Sequence, residues 1–171
     1  MNTNLKTLFA VQIMEGNVDA DFDKLAELLI DNYSKKFTND PGSSRVEDSY
    51  CPRTPIVNDI LSKISDDFYN TTKQRVVVED CWGHIHEKNM STKLHNHIDS
   101  FVSGVVYIKV PKGAGSIVFA PRVRGAPETD VMMPAVKGKY YIFPNYLEHY
   151  VTRNNSEEMR VSLTFNFKEV R

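Results

Sequence analysis

Apolar positions change their rhythm part-way along this chain. In the first part they recur at helical spacing. Phe22, Leu25, Ala26, Leu29 and Tyr33 fall three and four apart, which predicts a helix with one buried face running to about Phe37 and capped by Asn17 or Asp19. Ile56, Val57, Ile60, Leu61, Ile64 and Phe68 form a second stripe. Thr54-Pro55 opens it, since proline suits the first helical position. Before these helices, Thr7 to Met14 reads as a strand broken by Gly16-Asn17. Between them, Thr38 to Arg53 reads as a loop rich in Asn, Asp, Pro, Gly and Ser.

From Gln74 onward the rhythm becomes that of strands. The predicted strands are Arg75–Trp82, His84–Glu87, Phe101–Val110, Ser116–Phe119, Val131–Val136, Lys139–Phe143, His149–Thr152 and Met159–Lys168, separated by turn signals such as Lys137-Gly138 and Pro144-Asn145. The last is the most regular. Met159, Val161, Leu163, Phe165 and Phe167 make an apolar face, and Arg160, Ser162, Thr164 and Asn166 a polar one. The apolar face should meet helices or core, and the polar face should line a wet interior. The predicted fold is mainly β with N-terminal helices: a small antiparallel double-stranded β-helix, or jelly roll, with two helices outside it. At 171 residues one domain is expected, with residues 1–73 a mixed helical support and 74–171 the jelly-roll core.

Composition mainly excludes. The formal net charge is −1 and no Lys/Arg run stands out, so a nucleic-acid partner has no electrostatic support. No apolar run approaches the ~20 residues of a membrane span. The opening Met1-Asn2-Thr3-Asn4-Leu5-Lys6 lacks the form of a secretion signal. A cytoplasmic protein is expected, with Cys51 and Cys81 as reduced thiols, since their spacing fits neither a zinc knuckle nor a redox pair. Nothing in the pattern reads out an oligomeric state.

The chemistry-bearing residues are few and spaced. His95 and His97, two apart, can lie on one face of a strand and share a cation, with His149 completing a metal site. His97-Ile98-Asp99 is also a His-x-Asp, so Asp99 is an alternative ligand, or a turn residue before the next strand. His84 and His86 form a second His-x-His beside Trp82. They read as ligands of another metal, as lining of the same cavity on its substrate side, or as ordinary histidines. Arg160 is either an exposed strand arginine or a planar fork for a carboxylate inside the barrel, with Ser162 and Tyr107 adding hydroxyls. Tyr107 reads equally as a core tyrosine. There is no nucleophile elbow, phosphate-cradling glycine loop or His-Glu-x-x-His helix.

The stretch from Trp82 to Phe167 resembles the 2-oxoglutarate/Fe(II) oxygenases, a jelly-roll group distantly related to prolyl hydroxylases and found in bacteria and phages. The resemblance rests on His95-Asn96-His97, Ser103-Gly104-Val105-Val106-Tyr107, Phe143-Pro144 with His149, and Arg160-Val161-Ser162-Leu163-Thr164-Phe165-Asn166. It implies Fe(II) on His95, His97 and His149. It also implies 2-oxoglutarate as co-substrate on Arg160, Ser162 and Tyr107, and dioxygen with a small-molecule or peptide substrate. The expected reaction is hydroxylation, with a peptidyl residue such as proline as one candidate substrate. The chain departs from the wider superfamily in having His-x-His where His-x-Asp or His-x-Glu is usual. Two other readings stand beside this one: a cupin-like three-histidine dioxygenase that needs no 2-oxoglutarate, and a non-catalytic jelly-roll binding module.

Overall fold

Strand β9 (Arg160–Glu169) organises the architecture because its two faces demand different neighbours. In the computed structural model, which describes residues 10–31, 53–121 and 130–170, β9 lies inside the larger of two antiparallel sheets. The other strands are β1 (Met14–Asn17), β2 (Val76–His86), β3 (Thr92–His95), β4 (Val102–Lys109), β5 (Ile117–Phe119), β6 (Val131–Met133), β7 (Lys139–Pro144) and β8 (His149–Val151). The larger sheet has the order β1-β7-β4-β9-β2 and the smaller the order β3-β8-β5-β6. From β2 onward the chain passes repeatedly from one sheet to the other, which is the winding of a double-stranded β-helix.

The apolar face of β9 points outward, to the helices. Val161, Leu163, Phe165 and Phe167 are buried in one cluster with Phe22, Leu25 and Leu29 of α1 (Phe22–Asp31) and with Val57, Ile60, Leu61, Ile64 and Phe68 of α2 (Pro55–Thr72). A second cluster lies between the sheets: Val105, Tyr107, Tyr141 and Phe143 from the larger, Ile117 and Phe119 from the smaller. The outer cluster anchors the helices, and the inner one walls the interior that receives the polar face of β9.

The ends of α2 form as its sequence predicts. Thr54 caps it by accepting from the Val57 amide, Pro55 occupies the first turn, and Lys73 closes it in the left-handed region at φ 63°. The cap of α1 is different from the expected one. Asp21 accepts from the Lys24 amide at 3.2 Å and its carbonyl takes the Leu25 amide at 3.1 Å. Asn17 is held in β1 instead, and the Asp19 carbonyl accepts from Lys63. The predicted continuation of α1 to Phe37 lies outside the described residues, as do most of the Thr38–Arg53 loop and Cys51.

Three strand expectations change, each through a long-range contact. The first strand is Met14–Asn17, not Thr7–Met14, because β7 pairs there: Met14 lies opposite Ile142 and Gly16 opposite Tyr140. Residues 10–13 are outside it, and Thr7–Phe9 lie outside the described residues. Gly16 does not break the strand; it makes room for the Tyr140 ring, whose hydroxyl donates to Asp67 at 2.9 Å. Arg75–Trp82 and His84–Glu87 are one strand, β2, paired along its length with β9 and bulged between Val78 and Asp80. Thr92–His95, not predicted as a strand of its own, pairs with β8 as β3. Among the described residues no helix is long and apolar enough to cross a membrane.

Gly83 lets β2 run unbroken beneath α1, since a Cβ there would lie 2.8 Å from Leu29 Cδ2. Strand propensity alone would favour Gly83→Val by up to ~1 kcal/mol, whereas overpacking costs about 1–3 kcal/mol. The expected outcome in urea unfolding is net destabilisation by up to about 2 kcal/mol. A stabilised variant would show that α1 does not bear on β2 at this point.

Candidate active site

The smaller sheet brings two histidines face to face. His95 ends β3 and His149 begins β8, and the two are register partners. His97 lies just past the end of β3 rather than on the strand, a correction to the shared-strand expectation. A turn holds it in place instead. Its amide donates to the Asn145 carbonyl at 2.9 Å, and its own carbonyl accepts from the Ser100 amide and hydroxyl, both at 3.0 Å. The Asn145 side chain donates in turn to the carbonyls of Ile98 and Ser100. Ring centroids are 4.3 Å apart for His95–His149, 5.1 Å for His95–His97 and 5.2 Å for His97–His149.

The hydrogen bonds assign the ring protons. His149 Nδ1 lies 2.9 Å from the Leu147 carbonyl and His95 Nδ1 lies 2.8 Å from the Lys93 carbonyl. A carbonyl only accepts, so Nδ1 carries a proton in both rings, which leaves Nε2 as the atom that can ligate a metal. Burial, reinforced by the neighbouring His95, pushes the His149 imidazole down to about 3, so it is neutral across the physiological range. One ligand atom from each of His95, His97 and His149 lies within 4.8 Å of the others. Three nitrogens bound at ~2.1 Å on one face of an ion are about 3 Å apart, so a small inward closure suffices. The donor set fits a divalent transition metal. Asp99 is exposed on the turn beyond His97 and is not among the side chains that can share one ion.

The polar face of β9 continues from this group into the interior. Register sets Trp82 opposite Thr164, His84 opposite Ser162, and His86 opposite Arg160, while Tyr107 of β4 faces Ser162 from the other side. Trp82 stacks on His97, with centroids 5.9 Å apart and planes 25° from parallel. Arg160 is the deep end. It is 1% exposed, so the exposed-arginine reading of the sequence is corrected. Its Nη1 donates to the Ala114 carbonyl at 2.8 Å, and its buried Nε has no hydrogen-bond partner. Burial pulls the guanidinium down to about 10, which leaves it cationic. Among the described residues no carboxylate pairs with it. A buried charge in this condition costs several kcal/mol, and a carboxylate ligand would relieve it. The Tyr107 hydroxyl is pushed up by burial, against the opposing pull of Arg160, and stays protonated. Ser162 makes a long 3.5 Å contact with the His84 carbonyl.

Thr92, Asn145 and Ser100 were not singled out in the sequence. The Pro144-Asn145 turn signal was visible there, but not that its amide clamps the His97 turn. Thr92 carries no local signal at all; its hydroxyl lies 2.9 Å from His86 Nε2.

Trp82 is the chain's one tryptophan, and its stacking on His97 makes it a reporter. Co(II) added to chelator-treated protein should quench Trp82 emission at one equivalent. His149→Ala should weaken that binding by more than the ~10–100-fold typical of a lost supporting hydrogen bond, with Asp99→Ala within about twofold of the parent. Equal losses in the two variants would make Asp99 a ligand.

The profile of a family described as "Putative 2OG-Fe(II) oxygenase" matches residues 80–166, about half of the chain and the part that carries all three histidines and Arg160. No curated protein matches at sequence level. Similar solved structures include a prolyl-4-hydroxylase from Pseudomonas putida, 14% identical, covering 93% of each chain with a TM-score of 0.64. Another is the viral collagen prolyl hydroxylase vCPH from Paramecium bursaria Chlorella virus-1 in its 2OG complex, 19% identical, covering 91% of this chain and 96% of that one at 0.61. An oxidoreductase of the 2OG-Fe(II) oxygenase family from Burkholderia pseudomallei is 18% identical at 0.55, over 67% of this chain. The present chain spans only 58% of that protein's length. At these identities the likeness is one of fold. The profile match, covering the segments that carry the histidines and Arg160, carries the assignment: the chain belongs to the 2OG-Fe(II) oxygenase family.

Proposed function

We propose that this protein is a non-haem Fe(II)/2-oxoglutarate-dependent dioxygenase that hydroxylates an unactivated C–H bond. The observation that carries the proposal is the buried guanidinium of Arg160, which no carboxylate among the described residues pairs with, on the same inner face that leads to the three-histidine group. Iron and 2-oxoglutarate, when bound, supply the oxidising chemistry: dioxygen and the keto acid are consumed, carbon dioxide and succinate leave, and one oxygen atom enters the substrate C–H bond.

In this proposal the protein binds, orients and excludes water. His95, His97 and His149 present neutral nitrogens from one side and leave the other side open. Arg160 takes the distal carboxylate in a bidentate manner, with hydroxyl donors from Ser162 and Tyr107. The walls of Val105, Phe119, Tyr141 and Phe143 keep the space dry, which strengthens each of these interactions. With three neutral ligands, the keto-acid carboxylate would be the group that offsets the metal's charge, since the distal carboxylate is taken by Arg160. Trp82 and His84 are proposed on the substrate side. A peptidyl residue such as proline is the first substrate to test, supported by the fold shared with two prolyl hydroxylases.

The all-histidine donor set favours one other reading, a cupin-like dioxygenase without 2-oxoglutarate. Arg160 separates the two. In isothermal titration of Mn(II)-loaded protein, Arg160→Ala should weaken 2-oxoglutarate binding by at least about 30-fold, the low end for losing one partner of a buried charge pair. Mn(II) affinity should be unchanged, and Fe(II)-loaded parent protein should form succinate only with both dioxygen and 2-oxoglutarate. Turnover without the keto acid, together with an indifferent Arg160→Ala, would favour the cupin-like reading.

A further inference from the structure

Beside Arg160 the interior holds a second polar group that the proposed chemistry leaves unused. His86 is fully buried, at 0% exposure, and lies opposite Arg160 in the β2–β9 pairing, so the two side chains share the inner face as direct neighbours. One ring nitrogen is spoken for: Nε2 lies 2.9 Å from the Thr92 hydroxyl. The other, Nδ1, is buried with no hydrogen-bond partner, as is Arg160 Nε. Buried polar atoms are ordinarily satisfied, and an unpaired one costs about 1–3 kcal/mol. Two orphaned nitrogens on paired residues of one pocket point to a single missing acceptor.

We infer that His86 donates a hydrogen bond from Nδ1–H to the distal carboxylate of the keto-acid co-substrate, beside Arg160, with the Thr92 hydroxyl donating to Nε2 to hold that tautomer. The inference rests on the function proposed above and makes His86 part of the co-substrate pocket, not of the substrate side. Several features agree. The Thr92 hydroxyl rotates and can serve as donor. Burial, then the neighbouring His84, then the Arg160 charge all hold the His86 imidazole well below its ordinary range, so it is neutral with one ring proton. His84, 4.5 Å away by ring centroid, packs against the ring and limits its rotation. The carboxylate end of the pocket then combines one cation with neutral donors, so a dicarboxylic keto acid meets a complementary charge without a second positive group to desolvate.

Pyruvate tests this without a change of fold, because it keeps the keto-acid end of 2-oxoglutarate and lacks the distal carboxylate. Titrations of Mn(II)-loaded protein with 2-oxoglutarate and with pyruvate would be run on the parent, on His86→Leu, which removes the donor, and on His86→Asn, whose amide can replace Nδ1–H. The expected result is a loss of about 10–100-fold for 2-oxoglutarate in His86→Leu, as for a hydrogen bond to a charged group. His86→Asn should recover most of it, and pyruvate and Mn(II) affinities should be unmoved. Nitrogen-15 NMR of the parent with Zn(II) provides a reading independent of any variant: His86 should carry its proton on Nδ1, and that proton should shift downfield when 2-oxoglutarate is added. Equal losses for 2-oxoglutarate and pyruvate, no loss for either, or a proton on Nε2 would overturn the inference while leaving the proposed function intact. A parent protein that shows no metal-dependent binding of 2-oxoglutarate would overturn both.

Discussion

The two-residue alternation along β9 governs the architecture. One face must be covered, and two helices cover it; the other carries a guanidinium, two hydroxyls and an amide into the barrel. A strand with this pattern cannot slip by one residue, because a slip would drive Arg160 into the helix interface and leave Phe165 and Phe167 facing the polar interior. Register in β9 therefore sets which residues of β2 and β4 meet the polar face. His86, Ser162 and Tyr107 stand beside Arg160 for that reason.

The histidine group depends on the smaller sheet and is held differently. His95 and His149 are placed by strand pairing, whereas His97 is placed by a turn that Asn145 ties down. Backbone carbonyls two residues upstream orient both strand histidines before any ion is present. Burial of the His149 ring penalises its protonated form and so favours the neutral form that binds a metal. The same low-dielectric interior makes an unsatisfied Arg160 costly, so the features that prepare the metal end also make the far end demand an anion.

Much of this was legible in the sequence because it follows from local periodicity. The outer helix stripes and the two faces of β9 are repeats of three to four or of two, and His95 and His97 lie two apart. What was not legible came from contacts between distant segments. β1 lies at Met14–Asn17 because β7 pairs there, against the local apolar run before it. β2 passes through Gly83 because Leu29 needs the space. Asp21 rather than Asn17 or Asp19 caps α1 because β1 and Lys63 engage the other two. His86 offered three readings in the sequence, and its place opposite Arg160 emerges only from the strand register. The ambiguity of Asp99 likewise came from a His-x-Asp pattern whose geometry depends on where β3 ends.

Three convergent histidines and one buried arginine are proposed to frame a single metal-and-keto-acid site. A crystal structure of the Mn(II)–2-oxoglutarate complex, with manganese located by its anomalous signal, decides this. One manganese bound by His95, His97 and His149, with the distal carboxylate on Arg160, is the expected result. Manganese ligated by Asp99, or a keto acid lying away from Arg160, would overturn the assignment.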